Sequence, residues 1–190
     1  MADTATLPLS EQPPLRRRLR FDEFIGAVEA GVFGRDARVE LVDGEIVEMS
    51  PQSTAHFQLK ARLARVLTLQ AGGAWMTFSE PTIQIADSTG LEPDIAVFAL
   101  ADAQGALDPA KAALVVEIAV SSLDYDLGPK ASLYARAGVA EYWVLDVERS
   151  VAHIFRVRVA ESWAAPMLTS FSEALSPQFA PAITLRISDL

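Results

Sequence analysis

The apolar positions of this chain change period along its length. Arg38-Val-Glu-Leu-Val-Asp-Gly-Glu-Ile-Val-Glu-Met49 holds two β-rich runs around Asp43-Gly44. That dipeptide is a favoured two-residue hairpin turn because both positions need positive φ. Counting by twos puts Val39 and Leu41 on one face of the first strand, and Glu40 and Val42 on the other. Upstream, Asp22 is placed to cap a short helix from Glu23 to about Val32, with Phe24, Val28 and Ile25 facing inward. Downstream, Pro51 and Ser53 open a longer helix that runs to about Gln70. Its apolar stripe is Leu59, Leu63, Val66 and Leu67, and Gly72-Gly73 end it.

The stretch 75–86 predicts one strand, or a bent pair broken at Pro81. Asp87-Ser-Thr-Gly90 reads as a turn into a strand over 94–98, and 101–111 as a loop with a helical turn. Ala113-Ala-Leu-Val-Val-Glu-Ile-Ala-Val120 does not alternate, which predicts a strand covered on both faces. A helix over about 127–137 follows, with Pro129 in its first turn and Gly138 at its end. Strands are expected at 142–145 and 151–156, Trp143 and Phe155 being core residues. After Val159 the pattern weakens, and Ile183, Leu185 and Ile187 predict an edge strand. Residues 1–15, with Pro8, Pro13 and Pro14, predict a flexible tail. The remainder, 16–190, suits one domain.

Composition narrows the chemistry. With 190 residues, 51% of them apolar, and a mean hydropathy of +0.22, the chain can bury a large core. No apolar stretch approaches a membrane span, and the first residues lack a secretion signal, so a cytoplasmic protein with no membrane partner is expected. There are no cysteines and two histidines, which excludes thiolate chemistry and a histidine-rich metal site. Any metal should have oxygen ligands, which suit magnesium, manganese or calcium. The net charge of −9 weighs against phosphate binding, although Arg16-Arg17-Arg18 and Arg20 gather positive charge locally.

Two carboxylates then stand out. Glu117 lies alone inside its apolar strand, and Asp94 heads the run Pro93-Asp-Ile-Ala-Val-Phe98. Burying either costs several kcal/mol unless it is compensated. A divalent cation would compensate it, and so would salt bridges to Arg38, Lys130 or Arg136. Asp126, Lys130 and Tyr134 fall four apart on one helix face. They read either as a surface ion pair beside a packed tyrosine, or as Lys130 leaning toward the end of the Glu117 strand.

In this order, several segments resemble the Uma-two family of endonucleases, a branch of the PD-(D/E)XK superfamily. They are Glu-Leu-Val-Asp-Gly-Glu-Ile at 40–46, the helix entry with His56, Glu-Pro-Asp-Ile-Ala-Val at 92–97 and Leu-Val-Val-Glu-Ile at 114–118. Asp126 through Lys130 to Tyr134 and Gly-Val-Ala-Glu-Tyr-Trp-Val-Leu-Asp at 138–146 complete the set.

The resemblance implies a restriction-endonuclease-like α/β fold, a mixed central β-sheet flanked by α-helices, with an N-terminal β-hairpin. It implies that Glu40, Asp94, Glu117 and Lys130 are catalytic, that the three acids hold Mg2+ or Mn2+, and that the substrate is nucleic acid, DNA before RNA. The superfamily's lysine two residues after the second acid is replaced here by Ala119, and Lys130 matches the family's relocated one. The run 120–124 lacks the Ser-Pro-Ser that the family usually carries. His56, Gln84 and Tyr134 are expected beside the site, as supporting groups or substrate contacts. Glu80 and Glu141 are read as surface or supporting acids. Cutting both strands of a duplex would suit a homodimer, though no heptad or apolar stripe demands one. Two rival functions share the fold: a catalytically inactive binding or regulatory partner, and a metal-dependent hydrolase of smaller phosphate esters.

Overall fold

A computed structural model describes residues 17–34 and 37–190; the tail expected at 1–15 and Arg16 of the basic tetrad lie outside the described residues. Helix α1 (Phe21–Glu29) begins earlier than its sequence pattern indicates. The Glu23 carboxylate accepts the Arg20 backbone N–H at 3.0 Å, so Glu23 rather than Asp22 satisfies the helix start. Phe24 is buried, but Val28 is 45% exposed. The helix is tied down at its N-terminal end, where the Phe21 N–H donates to the Asp87 carbonyl.

The hairpin follows as β1 (Val39–Val42) and β2 (Glu45–Glu48), joined by Asp43 and Gly44 at φ 49° and 80°. These are the two positive values that this turn demands. Helix α2 (Thr54–Ala71) is capped by the Ser53 hydroxyl, which accepts the His56 backbone N–H, and ends at Gly72 with φ 71°. The bent pair at 75–86 is two strands, β3 (Trp75–Ser79) and β4 (Ile83–Ala86), which belong to different sheets. The residues read as a turn at 87–90 include a further short strand, β5 (Thr89–Leu91), ahead of β6 (Ile95–Ala99).

Next come β7 (Ala112–Ala119), a continuous helix α3 over 123–137, β8 (Tyr142–Asp146) and β9 (Val151–Phe155). Helix α3 starts about four residues before the expected position. A π-helical stretch, Asp126–Lys130, carries Pro129 inside the helix instead of at its start. The wider π turn relieves the clash and the lost hydrogen bond that a proline imposes on an α-helical interior. The small hairpin β10 (Arg158–Val159) and β11 (Ser162–Trp163) precedes β12 (Met167–Ser170).

Six strands form the main sheet in the order β12-β9-β8-β7-β6-β3, with β7 and β8 parallel and every other pair antiparallel. Four strands form a smaller antiparallel sheet, β2-β1-β5-β4. On one face of the main sheet, Leu63 and Leu67 of α2 pack with Val97, Val116 and Trp143. On the other, Leu133 and Tyr134 of α3 pack with Phe98, Val115 and Tyr142. Both faces are covered, which explains the unalternating apolar run of β7.

Ile183, Leu185 and Ile187 do not form the expected edge strand. They bury against the α2 face of the sheet, with only an isolated bridge between Leu175 and Leu185. The edge is β12 instead. Glu141, read as a supporting or surface acid, is fully buried and accepts from Trp143 Nε1, Arg156 Nε and the Gln178 N–H. Those bonds fasten the C-terminal segment to β8. Among the described residues, no helix is long and apolar enough to cross a membrane.

The smaller sheet depends on a close approach. A Cβ at Gly90 would sit 2.3 Å from a ring carbon of Phe21, the residue that opens α1. Gly90→Ala should therefore destabilise the fold by about 1–3 kcal/mol, the usual cost of overpacking. Adding Phe21→Leu should recover part of the loss. Urea denaturation of the single and double variants measures both.

Candidate active site

The parallel pair β7–β8 needs a crossover, and α3 supplies it, returning its buried face over the C-terminal half of β7. Lys130 on that face is 2% exposed. Its Nζ lies 3.0 Å from Glu117 Oε1, 2.9 Å from Glu40 Oε1 and 4.0 Å from Asp126 Oδ1. Three elements thus converge on one ammonium: β7, β1 of the smaller sheet, and α3 itself. The Tyr134 hydroxyl, one turn on, donates to the same Glu117 oxygen at 3.1 Å. Asp126, whose spacing also allowed a surface pair, is buried.

Asp94 approaches from the neighbouring strand. The β6–β7 register sets Ile95 opposite Val116, which brings Asp94 to the position facing Glu117. Asp94 Oδ2 accepts the Ile118 backbone N–H at 2.7 Å and contacts His56 Nε2 at 3.0 Å. Asp94 Oδ1 accepts from Gln52 Nε2 at 3.1 Å. Gln52 has no sequence pattern that would single it out, standing as it does in the loop before α2.

A cavity of about 280 Å3 opens beside these groups, with Asp94, Glu117, Asp126, Lys130, His56 and Gln52 in its walls. Gln84 is not among them. Ile83 turns inward on β4, so alternation sends Gln84 outward, where its amide donates to the Ala86 carbonyl. The structure thus does not set Gln84 in the cavity wall, beside which the sequence expectation placed it.

The electrostatics are lopsided. Glu40, Asp94, Glu117 and Asp126 are four buried acids, and Lys130 is the buried cation paired with three of them. Burial pushes the Glu117 carboxyl well above its ordinary range; Lys130 opposes the shift, while Asp126, Asp94 and Glu40 reinforce it. Asp126 is raised to about 6, again chiefly by burial. Burial alone would lower the Lys130 ammonium, but Glu117, Glu40 and Asp126 outweigh it and hold the proton more tightly than usual. Lys130 is therefore a fixed charge at any physiological pH.

The donor set suits a hard cation in one respect and not in another. Both hydrogen bonds to Glu117 fall on Oε1, and Glu117 lines the cavity together with Ile118. The surplus negative charge there is what a divalent cation neutralises. However, among the described residues no three His, Asp or Glu side chains already form a metal cage. Glu40 turns its Oε1 to Lys130 and to the Glu92 N–H. Two carboxylates, Asp94 and Glu117, fit a cation that keeps several of its waters, as magnesium does.

Comparison with known proteins agrees with this architecture. A putative nuclease belonging to DUF820 from Anabaena variabilis ATCC 29413 superposes with a TM-score of 0.72 at 16% identity, over 90% of this chain and 96% of its own. The type IIG restriction endonuclease BpuSI overlaps 63% of this chain and 14% of its own, with a TM-score of 0.40 at 18% identity, too little to argue from. No curated protein matches the sequence. The profile of one family, Uma2, described as "Putative restriction endonuclease", matches residues 21–188. That match spans nearly all of the chain, and the protein belongs to the Uma2 family.

Proposed function

We propose that this protein is a divalent-cation-dependent nuclease that hydrolyses phosphodiester bonds of nucleic acid, DNA before RNA, with residues 16–190 acting as one catalytic domain. One observation carries the reading: Asp94 and Glu117 face each other across adjacent strands, and Lys130 bonds to Glu117 at the wall of an open cavity. Family membership and the nuclease-like fold support it.

Asp94 and Glu117, with the Ile118 carbonyl, would hold Mg2+ or Mn2+. Once bound, such an ion polarises a phosphate and activates a water. The chain's own groups do the rest. The Ile118 N–H and His56 fix the Asp94 carboxylate, and the Tyr134 hydroxyl and Lys130 fix Glu117. Lys130 keeps its proton, so it acts by charge, countering the negative charge that grows on the phosphate, and not as a proton acceptor. Glu40, 2.9 Å away, helps to orient that ammonium.

A second reading, a nuclease-fold protein that binds a partner without cutting, is favoured by the net charge of −9, since such a surface repels polyanions. Mn2+ titration separates the two: micromolar to millimolar binding that disappears in Asp94→Asn supports the nuclease, and no binding supports the partner.

Under the first reading, Asp94→Asn and Glu117→Gln should each lower plasmid nicking about 100-fold or more while leaving circular dichroism unchanged. Nicking by either variant at the wild-type rate would defeat the assignment. Lys130→Met removes the counter-charge from three buried carboxylates, so it should also cost about 3–5 kcal/mol of stability, read by thermal or urea unfolding.

A further inference from the structure

Joined to Asp94 through Gln52 is a second charged cluster that the proposed chemistry does not use. Lys60, on α2, is 3% exposed. Its Nζ lies 2.8 Å from Gln52 Oε1 and 2.8 Å from Glu80 Oε1. The Gln52 amide nitrogen donates both to Glu80 Oε1 at 2.8 Å and to Asp94 Oδ1 at 3.1 Å. Arg38 closes the cluster from the solvent side, 3.2 Å from Glu80.

The chemistry of the partners leaves the amide one orientation. An ammonium can only donate, so it must meet the carbonyl oxygen of Gln52; two carboxylates can only accept, so they must meet its NH2. A flipped amide would set an oxygen against two anions and an NH2 against a cation. Lys60 therefore holds the Gln52 amide, and the amide holds the one Asp94 oxygen that His56 and Ile118 leave free. Asp94 is then restrained on both oxygens, and its carboxylate plane is set before any ligand arrives.

We propose that Gln52 and Lys60 form a positioning pair for Asp94, orienting its carboxylate so that a divalent cation meets it in a fixed geometry. The inference rests on the reading of Asp94 as a cation ligand. Neither residue touches the cation itself. Partners behind a ligand commonly change metal affinity about 10–100-fold when removed, because an unrestrained carboxylate must be ordered on binding.

The test is Mn2+ binding by the full chain, measured by calorimetry or by the electron paramagnetic resonance of free Mn2+, alongside the melting temperature. Gln52→Leu keeps the loop and removes the amide. Lys60→Met keeps the α2 stem and removes the charge; Glu80 is half-exposed and retains Arg38, so the variant should fold. Gln52→Leu should raise the Mn2+ dissociation constant about tenfold, and Lys60→Met should raise it by a smaller factor, each with little change in melting temperature. In nicking assays the loss should vanish at saturating Mn2+, which a general loss of structure would not allow. Wild-type affinity in Gln52→Leu, while Asp94→Asn abolishes binding, overturns the positioning role and leaves the nuclease reading intact. Absence of Mn2+ binding by the wild-type protein overturns both.

Discussion

One buried ammonium holds the site region together. Lys130 is reached by a carboxylate from the main sheet, another from the smaller sheet and a third from its own helix. In water such attractions are worth little, but at 2% exposure each partner needs the other to offset the loss of hydration. Helix α3 must therefore lie where Lys130 meets both sheets, and the hairpin must lie where Glu40 meets Lys130. The orientation of Glu117 follows, with one oxygen engaged by both Lys130 and Tyr134.

The π-helical stretch belongs to the same constraint. Asp126 and Lys130 are both buried, though the helix carries a proline between them. Widening the backbone by one residue accommodates that proline without ending the helix. The Tyr142 hydroxyl supports this stretch, donating to the Asp126 carbonyl at 2.9 Å. This one backbone irregularity lies where the acids and the lysine meet, as is common beside functional groups.

Much of the fold was legible because its signals are local. Asp43-Gly44 specifies its turn by φ alone, Ser53 caps α2 with its own hydroxyl, and the uniform apolar run of β7 announces two covered faces. The failures share a cause in tertiary contact. Thr89–Leu91 is too short to show a period and becomes a strand only because Leu41 and Ile83 lie beside it. Ile183, Leu185 and Ile187 alternate like a strand, yet the open face of the sheet takes them as side-chain cover. In the site, the four-residue spacing of Asp126, Lys130 and Tyr134 gave their shared face, but not that the face was buried. Gln52 was invisible for the opposite reason: a single amide in a loop has no spacing, and only the folded chain brings Lys60 and Asp94 to its two ends.

The order in which these groups occur along the polymer has a consequence for synthesis. Glu40, Asp94 and Glu117 all leave the ribosome before Lys130. A nascent chain that stops short of α3 carries its acids with no ammonium to bury them against, and its single parallel strand pair cannot form without the crossover. Contacts this distant in sequence form slowly, since loop closure must precede them. These acids therefore cannot be buried against their cation until the helix that carries Lys130 has emerged.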